Sequence, residues 1–200
     1  MKLEQLATLD GASRLRLALG LDEDQTAKIQ TLVKSMAGSN PHIKDTYVGK
    51  AVPGTSFYDF KKNRLGIGHK SADVLAHEMG HAASLANASE FYKTLLRASK
   101  RASRISNTMS LPLAGFIALN PRLSKEQKTK MLNTAAIASG ALASPNIVEE
   151  LIASGRAVYH SPTKIRTTAA MVPGFLSHTL NDFSAPATYA LAKNLIREED

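Results

Sequence analysis

Apolar residues recur at helical spacing along most of the chain. Ile29, Leu32, Val33 and Met36 mark one face of a helix over roughly residues 23–37, with Asp22 and Asp24 ahead of it and Gly38-Ser39-Asn40-Pro41 behind. Before it, residues 3–19 read as one or two short helices interrupted near Asp10-Gly11. Over 48–68 the texture changes to Gly, Pro, β-branched and aromatic residues. Phe57-Tyr58-Asp59-Phe60 and Arg64-Leu65-Gly66-Ile67-Gly68, separated by Lys61-Lys62-Asn63, predict a β-hairpin. Ser71 then stands where it can cap a helix through Val74, Leu75, Met79 and Ala82, with Asp73 in the first turn, where a negative charge is favoured. Further helices are expected over 90–106, 123–143 and 145–158, the last opened by Ser144 as cap and Pro145 at the first helical position, and a final one over about 187–196. There is no internal repeat, low-complexity tract or strong linker.

Composition narrows the class. Two hundred residues with 44% hydrophobic content suit one compact domain, or one with a helical appendage. Abundant Ala and Leu, only 12 Gly and no Trp favour a mainly helical protein over a sandwich or barrel. The absence of Cys excludes disulfides, thiolate metal sites and cysteine nucleophiles, so any metal site must use His, Asp or Glu. The first residues alternate polar and apolar positions and show no secretory signal, and the apolar runs 111–119 and 135–143 fall short of the roughly 20 residues that span a bilayer. A soluble, cytoplasmic protein is the expectation, with peripheral membrane or virion association left open. The formal charge of +8 admits acidic partners without identifying one.

The decisive pattern is His77-Glu78-Met79-Gly80-His81 on a predicted helix that follows a predicted strand. Two His at i and i+4 lie about 40° apart around a helix and one turn apart along it, so both imidazoles reach one ion. Glu78 is rotated to one side, where it meets a water on the metal without ligating it. The segment 57–83 resembles the zincin metallopeptidases, with their edge strand followed by the active-site helix. The resemblance implies zinc, peptide-bond hydrolysis with Glu78 as general base, and an extended substrate pairing with Leu65, Gly66, Ile67 and Gly68, where Gly66 and Gly68 permit close backbone approach.

The third ligand separates the zincin types. Position 87 is Asn87, which disfavours the type with a third His there. Glu149 and Glu150 form an acidic pair downstream, and Glu150-Leu151-Ile152-Ala153-Ser154-Gly155-Arg156-Ala157 resembles the E-x-x-A-D-x-x-A signature of the gluzincins, above all the CAAX prenyl endopeptidase and HtpX-like family. By that register Glu150 is the metal ligand and Glu149 the fallback. Ser154 stands where that family has Asp, so support from that carboxylate is missing or supplied elsewhere. The same family implies a helical insertion between the two motifs. The expected architecture is α+β, mainly α: a helical part over 1–45, hairpin and motif helix over 46–88, an insertion over 89–144, and the third-ligand and C-terminal helices over 145–200.

An oxyanion donor could come from His160, Tyr159, His178 or Tyr189, each of which reads more readily as a structural or surface residue. His42 and His69 read as bystanders. Lys93, Arg97, Lys100, Arg101 and Arg104 share one helix face, either a solvated stripe or a contact for an anionic surface, membrane or nucleic acid, while run 111–119 behind them keeps membrane contact open but reads more readily as a buried core helix. Two other functional classes remain: an inactive zincin-like binding or structural module, as in a virion or secretion assembly, and an anion-binding helical protein whose motif is accidental.

Overall fold

The computed structural model describes residues 1–162 and 164–198, with residues 165, 174, 197 and 198 described by backbone alone. Helices dominate. A 3-10 turn, Leu3–Ala7, leads into α1 (Leu9–Leu19) and α2 (Glu23–Ser39), and a second such turn, Pro41–Ile43, leads into the strands β1 (Tyr47–Lys50), β2 (Phe57–Asp59) and β3 (Arg64–Ile67). Five helices follow: α3 (Ala72–Leu85), α4 (Glu90–Leu119), α5 (Lys125–His160), α6 (Lys164–Asp182) and α7 (Ser184–Glu198). The class is α+β, mainly α, as the sequence suggests.

Local chemistry sets the boundaries. The first break falls at Thr8, not at Asp10-Gly11, because the Thr8 hydroxyl caps α1 by accepting from the Gly11 N–H at 3.1 Å. Gly11 lies inside the helix and must be Gly, since a Cβ there would sit 1.8 Å from the Gln5 carbonyl oxygen. Asp22 caps α2 through the Gln25 N–H at 2.7 Å.

The hairpin forms as expected, but β1 adds a strand the pattern did not reveal. The order is β1-β3-β2, with β3 parallel to β1 and antiparallel to β2. Leu65, Gly66 and Ile67 therefore occupy the central strand, which corrects their placement at an edge. The outer side of β1 is taken by the N-terminal segment, through a bridge from Lys2 to Tyr47 and a 2.8 Å bond from the Leu3 N–H to the Thr46 carbonyl. Among the described residues nothing pairs with the outer side of β2.

The expected break at Ser144-Pro145 does not occur, and α5 runs on through Pro145. A Pro inside a helix strands the carbonyl four residues back. Here that carbonyl, on Ala141, accepts the Ser144 hydroxyl at 2.9 Å, so Ser144 repairs the helix rather than opening a new one. α4 likewise runs on through Pro112 and joins the predicted 90–106 helix to run 111–119 in one element. Within that run Leu111, Leu113, Phe116 and Leu119 are exposed, so it is not a buried core helix.

By its contacts the chain divides into two compact units, Met1–Ser89 with Glu149–Phe175, and Glu90–Val148 with the helices from Leu176 onward. The first unit is built round Leu6, Ile29, Met36, Leu65, Leu75 and Met79. The second has a smaller core of Ala114, Ile117, Leu132, Ala185, Tyr189 and Ile196.

Candidate metal centre

The first unit brings two helix faces together. His77, Glu78 and His81 lie on α3, and Glu149, Glu150 and Ser154 lie on the C-terminal part of α5. The approach is close because both helices carry small residues at the crossing. A Cβ on Gly80 would stand 2.2 Å from the Ala153 carbonyl oxygen, and Ala153 and Ala157 are fully buried. The start of α3 is held by its surroundings rather than by its own cap. Ser71 occupies the cap position without a side-chain cap bond; the Gln25 side chain accepts from the Ala72 N–H at 2.9 Å, and Thr167 donates to Asp73 at 2.7 Å.

Three ligand atoms converge between the helices. His77, His81 and Glu150 each offer one atom, and these atoms lie within 4.8 Å of one another, so the group can hold a metal ion. Glu150 Oε2 is 3.2 Å from His77 Nε2 and 3.6 Å from His81 Nε2. That oxygen is buried and has no hydrogen bond of acceptable geometry, even this close to two ring nitrogens. A buried acceptor left so is costly, and a cation shared with the two Nε2 atoms removes the cost. The residues fit a metal.

The far nitrogens are each occupied. His77 Nδ1 is 3.2 Å from the Ser154 hydroxyl, and His81 Nδ1 is 3.2 Å from Glu149 Oε1. The Ser84 hydroxyl donates to the same Glu149 oxygen. A carboxylate accepts only, so in its neutral form, the form that binds a metal, the His81 ring carries its proton on Nδ1 and leaves the Nε2 lone pair free. Glu149 is thus behind the ring and not in the ligand set. The two imidazoles meet edge to face, with centroids 4.7 Å apart and planes at 81°.

Burial alone would lower the pKa of His81, but the Glu149 carboxylate on Nδ1 and the nearby charges of Glu150 and Glu78 raise it to about 9. Glu150 is opposed by burial, yet the two imidazoles hold its carboxyl far below the usual range. Burial raises Glu78, with His81 and His77 pulling the other way, Glu150 adding to the rise and a Tyr58 backbone hydrogen bond opposing it.

The other expected residues divide clearly. Gly66 and Gly68 approach the protein itself, not a ligand: a Cβ on Gly66 would enter the Phe57 ring, and one on Gly68 would fall 2.0 Å from the Val52 carbonyl oxygen. His160 Nδ1 pairs with the Ser35 hydroxyl at 2.9 Å, and burial followed by the Arg156 charge lowers its pKa. Tyr159 is 72% exposed and lies edge-on to His160. Tyr189 is buried in the core of the second unit, and His178 is exposed there. Among the described residues no hydrogen bond or ion pair joins His160 or Tyr159 to His77, Glu78, His81 or Glu150. His69 pairs with Ser56 at 3.2 Å.

Gly80, Ser84 and the supporting role of Glu149 escaped the sequence reading. The only available signals were the small residues at 80, 153 and 157 and a hydroxyl three residues after His81. No family model, curated protein or solved structure matches the chain.

Proposed function

We propose that the chain is a zinc-dependent peptidase in which His77, His81 and Glu150 hold the metal and Glu78 is the general base. The observation that carries this reading is the buried, unsatisfied Glu150 Oε2 facing two Nε2 atoms whose opposite ring nitrogens are already engaged. A nitrogen and oxygen donor set of two imidazoles and one carboxylate, with no thiolate, suits zinc with one position left open. When bound, the metal supplies Lewis acidity toward a carbonyl oxygen and acidifies a coordinated water.

The chain's own residues supply the rest. Glu78 stands one position from His77 on the same helix, is largely withdrawn from solvent and has a raised pKa, which suits a carboxyl that takes a proton from water and passes it to a leaving amine. β2 packs against α3, which carries Glu78, and among the described residues no strand pairs with its outer side, so an extended peptide could add there near the base. The edge role therefore passes from residues 65–68 to Phe57, Tyr58 and Asp59.

Two measurements test the proposal. Purified protein should contain one equivalent of zinc, lost on His77→Ala, and should cleave casein or a peptide library unless a chelator is present. Glu78→Gln should keep the zinc and lower turnover by about 10²–10⁴-fold. Absence of zinc from the purified protein overturns the metal centre. Stoichiometric zinc without chelator-sensitive cleavage identifies a binding module instead.

A further inference from the structure

The second unit exposes large apolar side chains that its small core does not absorb. On α4, Phe91, Ile105, Met109 and Phe116 are 79%, 66%, 52% and 65% exposed. At 100° per residue they fall within about 40° of one another round the helix. The packed face, marked by Leu96, Ser103, Ala114 and Ile117, is on the far side. Near the end of α4 the apolar surface widens. Leu111 and Phe116 point about 140° apart, and Leu119, 83% exposed, lies between them.

Charge is arranged around this surface. Residues 105–121 and 131–148 contain no Asp, Glu, Lys or Arg, and the segments on either side of 105–121 are basic. Over 90–148 the only acids are Glu90 and Glu126, against nine Lys and Arg. Lys93 and Arg97 pair with Glu90, but Lys100, Arg101, Arg104, Arg122 and Lys130 are exposed and, among the described residues, have no ion-pair partner.

We infer that α4 and the turn after it lie in the headgroup region of a membrane containing anionic phospholipid, with Leu111, Phe116 and Leu119 immersed and the flanking basic residues on lipid phosphates. A helix with an apolar stripe beside a basic one is the form that binds such a surface in its plane. Basic groups at both ends of the uncharged run hold it level. The run is 17 residues, about 25 Å at 1.5 Å per residue, which is short of a span of about 30 Å. No described helix is long and apolar enough to cross a membrane.

The charge pattern opposes a second copy of this chain, because an isologous contact through α4 would set basic stripe against basic stripe. Nucleic acid would answer the basic residues but leave the broad apolar end of α4 in water. Lipid satisfies both.

Flotation with vesicles of phosphatidylcholine alone and of phosphatidylcholine with phosphatidylglycerol tests the inference, and it does not depend on the metal. The full-length protein should float with the anionic vesicles and far less with the neutral ones. A Phe116→Glu, Leu119→Glu variant should lose binding at every salt concentration. Lys100→Ala, Arg101→Ala, Arg104→Ala should weaken partition by on the order of a hundredfold at low salt, at about fivefold per charge. All of these side chains are exposed, and circular dichroism of each variant checks that the helices persist. Failure to float with anionic vesicles overturns the inference, as does undiminished binding by the Phe116→Glu, Leu119→Glu variant. A dimer whose dissociation by those two substitutions accounts for the change would assign the face to self-association and overturn it equally.

Discussion

Two adjacent glutamates on α5 have opposite tasks, decided by which side of an imidazole each one meets. Glu150 faces the Nε2 atoms and Glu149 faces His81 Nδ1. Glu149→Gln keeps shape and one acceptor oxygen but removes the charge that holds the His81 ring. Metal affinity, measured by competition with a chromogenic chelator, should fall roughly 10–100-fold. An unchanged affinity would show the carboxylate to be packing alone. The pH response has a definite sign. With its folded pKa raised to about 9, His81 adds stability to the metal-free protein in full below its ordinary value near 6.5, and that stability is lost as pH climbs through about 9. Metal needs the neutral ring, so affinity for zinc should rise by about tenfold per pH unit through the same window. Thermal melts and zinc titrations at three pH values check both trends.

At the scale of elements, the site depends on how closely α3 and α5 approach. Gly80→Ala inserts a methyl into the Ala153 carbonyl and forces the helices apart. We expect a loss of about 1–3 kcal/mol in chemical denaturation and weaker metal binding, because the ligands sit on both sides of the seam. The motif helix, the hairpin and α2 were legible because each has a clear period and punctuation. His77, Glu78 and His81 were legible because their spacing is local. The central position of β3 was not, since β1 is four residues long and pairs across 17 positions of sequence. Pro145 misled because its usual effect is cancelled by the Ser144 hydroxyl, a pairing invisible to periodicity. Ser154 departs from the expected Asp but still reaches His77, so the departure changes the chemistry behind the ring without emptying the place.

For the whole molecule, every proposed ligand belongs to one unit. His77 and His81 come from Met1–Ser89 and Glu150 from Glu149–Phe175, so a metal held by all three would join two distant stretches of chain within the first unit. Zinc at 1,000 times its dissociation constant should stabilise that unit by about 4 kcal/mol. Hydrogen exchange should show the protection in α3 and in residues 149–160, with residues 90–119 unchanged. Uniform protection along the chain would mean that the two units unfold together. The basic excess of the chain falls mainly on the second unit, so most of the charge that makes the protein cationic lies in the unit that supplies no ligand.

The unequal backing of the two imidazoles has a directional consequence. A hydroxyl can give or receive a proton, so Ser154 tolerates His77 in either tautomer, whereas the Glu149 carboxylate commits His81 to one. Of the two rings, His77 is the one free to let go. Were a metal held by His77, His81 and Glu150, the ring backed by the Ser154 hydroxyl would be the one whose orientation a single serine sets.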